Sequence, residues 1–229
     1  MNDVLGHAIF DFHCNAQGRA KLWIHNTYGP KEEMPVETYF RSEADMPKLE
    51  LTAINACKGK ILDVGAGAGS HAHLLQLKGA DVTAMDISPK AAEVMKLRGV
   101  KNVIAEDIFL YSEKKFNTVL LLMNGIGLVG TIDGLRLFLQ HAKNLLLPGG
   151  QLLFDSSDIA YLYESNIPKG KYYGEVLYAY HYKHIKSGWF SWLYIDKKTL
   201  TKIAVEEGWE MQVLFEDGFD QYLAKLSIL

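Results

Sequence analysis

Between residues 60 and 155 the chain alternates short apolar runs with longer stretches in which apolar residues recur every three or four positions. The runs cover residues 60–64, 81–85, 102–105, 117–123 and 151–155, and most are rich in Val, Ile or Leu. Strands covered on both faces read this way, because a parallel sheet carries helices on each side. The intervening stretches carry helix signals. Ser88-Pro89 pairs an N-cap with a proline at the first helical position, and Gly99 ends that helix. Across residues 133–146, Leu135, Phe138, Leu139, Ala142 and Leu146 fall on one face. Pro148-Gly149-Gly150 then turns the chain into the next strand. Strand and helix alternating in this order predict right-handed crossovers and an open parallel sheet.

The flanks read differently. Residues 1–55 lack the alternation, are broken by Pro30, Pro35 and Pro47, and are expected to be irregular and helical. In the tail, residues 199–207 predict a helix with Leu200, Ile203 and Ala204 on one face, stopped by Gly208. Residues 209–215 and 222–228 predict two strands joined through Glu216-Asp217-Gly218, a hairpin signal that ends the sheet in an antiparallel strand. No internal repeat or low-complexity tract is visible.

Composition narrows the function classes. With 229 residues, 48% hydrophobic and 22% charged, the chain is globular, and 1–229 is expected to form one domain. A net charge of −3 argues against a nucleic-acid partner, which needs a positive surface. Cys14 and Cys57 form no CxxC pair and read as reduced thiols, which suits a cytoplasmic protein. The first residues lack the basic start of a signal peptide. The uncharged stretch 116–132 is interrupted by Asn124, Gly125, Gly127 and Gly130, so it predicts a buried strand and a loop, not a membrane span.

The strongest chemical signal is ILDVGAGAGS, residues 61–70. Gly65, Gly67 and Gly69, with Ala66 between the first two, follow an apolar strand and precede a helix predicted over residues 71–78. Glycines let the backbone turn sharply and approach a ligand, and the N–H groups of the helix start then face it. The spacing is G-x-G-x-G, not the G-x-G-x-x-G of dinucleotide sites. Asp63 would repel a pyrophosphate but suits a cationic ammonium group. Asp86 lies 23 residues beyond Asp63 at the end of the second strand, with Ile87 after it. It can accept from both hydroxyls of a ribose. Asp107 ends the third strand. It can accept from an adenine amino group while the Ile108 N–H donates to a ring nitrogen. Met123 and Asn124 follow the fourth strand at the open edge of the site. Any one of these acids alone is as readily a solvated loop end; four elements in order at successive strand ends form the ligand crevice of an open α/β sheet.

On these residues, 60–155 resemble the class I S-adenosylmethionine-dependent methyltransferases. The family's first motif is similar to Leu62–Gly69, its ribose acid to Asp86, its adenine acid to Asp107, and its later turn to Leu147-Pro148-Gly149-Gly150. Phe116-Asn117 departs from the usual Phe-Asp, at a strand start away from the ligand. The resemblance implies S-adenosyl-L-methionine as cofactor. It also implies a Rossmann-like α/β fold with helices on both faces of a seven-stranded sheet, order 3-2-1-4-5-7-6, and the last strand antiparallel. It makes residues 1–55 a lid, 56–155 the cofactor core, 156–195 a substrate-side insert and 196–229 a terminal helix and hairpin. Tyr39-Phe40-Arg41 resembles family cases in which an arginine before the core reaches the methionine carboxylate; the other reading of Arg41 is a surface residue.

The methyl acceptor is less legible. No fixed catalytic motif is expected, and none is found. Acceptor-side candidates are Tyr28, Asp155 and His181, with Asn124, Ser156 and Asp158 nearby; Asp155 is the best placed of them, though it reads more readily as a loop acid capping the following turn. His71 and His73 lie two apart on a helix and do not face each other, so no metal site is expected, and both read as surface or packing residues. Residues 161–194 hold eleven aromatics. Their strand-like runs 175–183 and 189–195 predict an antiparallel insert over the acceptor side, or else a patch that packs on the core or on a second copy. A small-molecule methyltransferase is the reading these features favour. The alternatives are a nucleic-acid or protein methyltransferase, for which MNGI at the fourth strand lacks an NPPY-like tetrad, and a binding module without catalysis.

Overall fold

The computed structural model describes residues 2–163, 167–168 and 170–229. Residues 164–166 and 169 of the aromatic insert lie outside the described residues. The predicted core forms as parallel strands β3 (Lys60–Val64), β4 (Asp81–Asp86), β5 (Val103–Ala105), β6 (Phe116–Leu121) and β7 (Leu146–Ser157). The hairpin β11 (Trp209–Glu216) and β12 (Gln221–Ile228) joins antiparallel to β7. Across the sheet the strands run β11-β12-β7-β6-β3-β4-β5. Counted from β3, this is the expected order 3-2-1-4-5-7-6.

Helices α2 (Lys48–Ala56), α3 (Ser70–Leu77) and α4 (Pro89–Leu97) cover one face, and α5 (Ile132–Leu145) and α6 (Lys197–Glu206) the other. Strand periodicity decides which side chain meets which layer. Leu62 and Val64 pack with Phe138 and Leu200 below, whereas Ile61 packs with Leu74 and Met95 above. The Ser88 cap operates as expected, its Oγ accepting from Ala91 N at 2.9 Å; α6 starts two residues earlier than predicted because Asp196 caps it, Oδ1 accepting from Thr199 N at 2.9 Å. Several boundaries shift by one or two residues, and that of β7 by more. β7 begins at Leu146, and the Pro148-Gly149-Gly150 turn is a bulge within it: Phe116 faces Leu146 while Thr118 faces Gln151.

The flanks bring a correction. Helix α1 (Val4–His13) is present, but the N-terminal segment also supplies β1 (Leu22–Asn26) and β2 (Glu32–Glu33). They join β8 (Glu175–Tyr182), β9 (Ile185–Lys186) and β10 (Phe190–Leu193) in a second, antiparallel sheet of order β10-β8-β1-β2, with β9 on β8. So the insert does not stand alone: its central strand pairs with a segment some 150 residues earlier, Leu22 opposite Tyr182 and Asn26 opposite Tyr178. No helix among the described residues is long and apolar enough to cross a membrane. The uncharged stretch 116–132 resolves into β6, a left-handed turn at Met123-Asn124 and a 3-10 turn over Gly125–Val129.

Candidate functional site

A cavity of about 630 Å³ opens where β3, β4, β5 and β6 end. The loops after these strands form its floor, and the second sheet forms its roof. Ten residues predicted from sequence meet there: Asp63, Gly65, Ala66, Gly67, Asp86, Ile87, Asp107, Ile108, Met123 and Asn124 all line it.

The floor is built by backbone geometry. Gly65 and Gly67 have φ of +68° and +57°, in the left-handed region that a Cβ disfavours. Nothing lies within 4 Å of a Cβ built on Gly65, so that position is open. A Cβ on Gly67 would come within 2.9 Å of the Tyr39 ring, which covers the loop from the N-terminal segment. Asp86 fastens the loop to β4: Oδ2 accepts from Gly67 N and Oδ1 from Ser88 N, both at 2.8 Å. A carboxylate has acceptor capacity beyond these two bonds. Asp107 Oδ1 accepts from Phe109 N at 3.0 Å in a turn of the same kind.

Burial without partners marks the floor electrostatically. Asp63 is 1% exposed, and its Oδ2 has no hydrogen-bond donor. Burial raises the carboxyl groups of Asp63 and Asp86 to about 6. Asn124 Oδ1 is a second buried acceptor without a donor. Two residues that line one cavity and carry unpartnered buried acceptors fit a ligand that brings N–H donors. The open Gly65 and the acids at successive strand ends fit a nucleoside with an amino-acid tail.

Asp155, Tyr28 and His181 do not line the cavity. Asp155 lies behind it, fully buried, with both oxygens accepting from Asn124 N at 3.0 and 2.9 Å and Oδ2 also from Gln221 Nε2 at 3.0 Å. It therefore holds the Met123-Asn124 turn, where φ is +62° and +54° and a side chain is uncommon. Asn124 Nδ2 in turn donates to Leu193 O at 3.2 Å, tying floor to roof. His181 alternates with Tyr180 and Tyr182 on β8 and so points to the opposite face, where its ring lies 6.2 Å from that of His25. Tyr28 stands behind Tyr178: its hydroxyl meets that of Tyr178 at 2.9 Å, and Tyr178 meets Tyr194 at 3.0 Å.

Two cofactor-side residues also stand elsewhere. Gly69, at φ +79°, is the N-cap of α3, and a Cβ there would sit 2.9 Å from Met95. It serves the α3–α4 packing. Arg41 is neither at the cavity nor free on the surface: Nη2 donates to Glu50 Oε1 at 2.5 Å. Glu50, 5% exposed on α2, also meets His71 Nε2 at 2.7 Å through Oε2. His71 is thus corrected from a surface or packing residue to a buried, hydrogen-bonded residue that lines the cavity. The signal was its place, two residues after the last loop glycine, in the first turn of a helix leaving the site. Among the described residues no cluster could hold a metal ion.

The roof is aromatic. Tyr178 and Tyr180 of β8 and Phe190 and Trp192 of β10 face the cavity with Tyr194 and Ile24. Burial holds the Tyr178, Tyr180 and Tyr194 phenols above their ordinary range, so they are neutral donors near pH 7. No Lys or Arg lines the cavity among the described residues.

Comparison with known proteins matches this architecture. Residues 37–213 fit the model of a methyltransferase domain. The chain belongs to the class I S-adenosylmethionine-dependent methyltransferases. A family member from Bacteroides fragilis, solved in complex with S-adenosyl-L-homocysteine, is 41% identical, with 99% of this chain and 94% of that one covered and a TM-score of 0.91. The CcbJ methyltransferase of Streptomyces caelestis shares the fold at 13% identity, covering 84% of this chain and 95% of that one, with a TM-score of 0.65. A demethylmenaquinone methyltransferase of Tropheryma whipplei is 28% identical over 99 residues. That stretch is 41% of this chain and 40% of the relative's length.

Proposed function

We propose that the protein transfers a methyl group from S-adenosyl-L-methionine to a small-molecule acceptor held between the glycine-loop floor and the aromatic roof. The observation that carries the proposal is the cavity itself: unpartnered acceptors and strand-end acids on one side, neutral aromatic walls on the other. Asp86 is assigned to the ribose hydroxyls, Asp107 and the Ile108 N–H to the adenine edge, and Asp63 with Asn124 Oδ1 to the ammonium. Ile87, 69% exposed at the rim, offers apolar cover for the base. The bound cofactor supplies an electrophilic sulfonium methyl, so the chain's task is alignment and exclusion of water. The roof tyrosines are neutral and can orient an acceptor by donating hydrogen bonds, but near pH 7 they are poor bases. Asp155 acts at one remove, by fixing the turn that carries Asn124. An aromatic roof over a cavity of about 630 Å³ suits a small, partly apolar acceptor.

Titration calorimetry with S-adenosyl-L-homocysteine, with NAD as control, tests the floor: one site per chain for the first and none for the second. Methyl transfer to a pooled metabolite library then tests the roof. No heat and no thermal shift with millimolar S-adenosyl-L-homocysteine would refute the proposal.

A further inference from the structure

Four charged groups run inward from the N-terminal segment to the cavity: Arg41, Glu50 on α2, His71 on α3 and Asp63 on β3. Arg41 and His71 share the Glu50 carboxylate, at 2.5 and 2.7 Å. Asp63 follows without a partner for Oδ2. His71 and Asp63 line the cavity, whereas Arg41 and Glu50 do not. We propose that His71 is the partner of the cofactor's carboxylate, oriented by Glu50, so that His71 and Asp63 together read the zwitterionic amino-acid end of the ligand. This rests on the reading of the cavity as an S-adenosylmethionine site and names the group that discriminates within it.

Three observations support the assignment. First, an amino-acid carboxylate buried in this cavity needs a donor, and among the described residues no Lys or Arg reaches it. Second, Glu50 takes Nε2 of His71, which leaves Nδ1 as the ring nitrogen free to donate. Third, the charges balance. Arg41, Glu50, His71 and Asp63 sum to zero with the imidazole protonated, and a zwitterion adds nothing to that sum. Burial pulls the His71 pKa down, but the Glu50 hydrogen bond and the nearby Asp63 and Glu50 charges outweigh it and hold the pKa above its usual value; Arg41 opposes them weakly. The place of His71 in the first turn of α3 also favours an anion beside it. Glu50 is a positioning residue, and Arg41 acts only through it.

The test compares two ligands that share the adenosine and the thioether and differ in the tail. S-adenosyl-L-homocysteine carries the amino acid; 5′-methylthioadenosine does not. Their dissociation constants are measured by calorimetry, the weaker one by competition, on the full chain and on His71→Asn and Glu50→Gln. Expected is a loss of roughly tenfold or more for S-adenosyl-L-homocysteine in His71→Asn, with 5′-methylthioadenosine changed less than about twofold. Glu50→Gln should give a smaller loss of the same selectivity. In the unaltered protein, the preference for the amino-acid ligand should fall as pH rises through the raised His71 pKa. That measurement needs no variant to fold, and the fall should vanish in His71→Asn. Equal weakening of both ligands, no weakening of either, or a preference flat with pH overturns the assignment. Failure of the unaltered protein to bind either ligand overturns the cofactor reading itself and the assignment with it.

Discussion

The floor and roof of the cavity are built on opposite principles. The floor is polar and built largely from short loops: each follows its own strand, Asp86 and Asp107 accept from Ser88 N and Phe109 N two residues on, and Asp86 also holds Gly67 N of the neighbouring loop. The roof is assembled from afar and is aromatic, since β1 and β8 meet across some 150 residues of chain. A floor of short loops binds what its motifs dictate, and a roof of side chains on a separate sheet can be refitted without touching those motifs. Floor variants should therefore change affinity for S-adenosyl-L-homocysteine, and roof variants should change turnover alone.

The strongest break of that comparison is Gly127→Ala. Gly127 lies in the turn after β6, and a Cβ there would fall 2.0 Å from Nε1 of Trp192, a rigid ring that must move. A displacement of about 1 Å in an aligning wall can cost on the order of a hundredfold in rate. Methyl transfer to the acceptor found in the metabolite pool should fall by about that factor, while calorimetry gives S-adenosyl-L-homocysteine affinity within about threefold of the original. Equal losses in both would mean that floor and roof are one unit.

Asp86→Ala should act on the floor instead. It removes the acceptor assigned to the ribose and also the anchor of Gly67 N and Ser88 N. Bonds to a charged acceptor contribute about 1.5–3 kcal/mol, so affinity should fall tenfold or more. Melting should show a folded variant of lowered Tm. Unchanged affinity in that folded variant removes Asp86 from the site.

The contrast also has a pH signature. Asp63 and Asp86 are raised to about 6 from an ordinary value near 4, because they are buried with few donors. Between those values the folded chain holds protons that the unfolded chain has released. Their contribution to stability therefore falls as pH rises through this window. Asp155, also raised to about 6, adds to the same slope without touching the cavity. A ligand that donates to the ionised floor acids must expel the protons. S-adenosyl-L-homocysteine affinity should rise several-fold from about pH 5 to 7, with proton release measurable in buffers of different ionisation enthalpy. A pH-independent affinity would mean that these carboxylates receive nothing from the ligand.

This division also explains what could be read from sequence. The core strands, floor acids and glycine loop were legible because each is a short-range pattern, an apolar run and then its loop; the strand order was implied only by the family resemblance that these patterns carry. The strand over residues 22–26 was not, since only Leu22 and Ile24 mark its buried face and its partner lies far along the chain. Arg41 and His71 were misplaced for a related reason. Whether an arginine is free, or a histidine is buried and paired, depends on Glu50 lying between them, and spacing carries no sign of that. His181 fell on the wrong face because a run of aromatics identifies a strand without fixing which parity points inward.

The smallest expected effect asks whether the roof is only a wall. The hydroxyls of Tyr28, Tyr178 and Tyr194 form a chain at 2.9 and 3.0 Å, with Tyr194 at the cavity and Tyr28 half-buried at the outer end. Tyr28 lines no part of the cavity, so Tyr28→Phe removes a hydroxyl while leaving every lining atom in place. Burial raises the Tyr28 phenol to about 12, so near pH 7 it is neutral and one neutral hydrogen bond is lost. Such a bond contributes about 0.5–1.5 kcal/mol, which for a chain of this length is a fall in Tm of about 1–6 °C. S-adenosyl-L-homocysteine affinity should not change, and turnover should stay within about threefold, because a wall needs the Tyr178 ring and not its second hydrogen bond. If turnover instead collapses while Tm holds, the phenol chain carries a proton away from the acceptor. The roof would then act in the chemistry, and the contrast with the floor would lie in the reaction each serves rather than in wall against binding site.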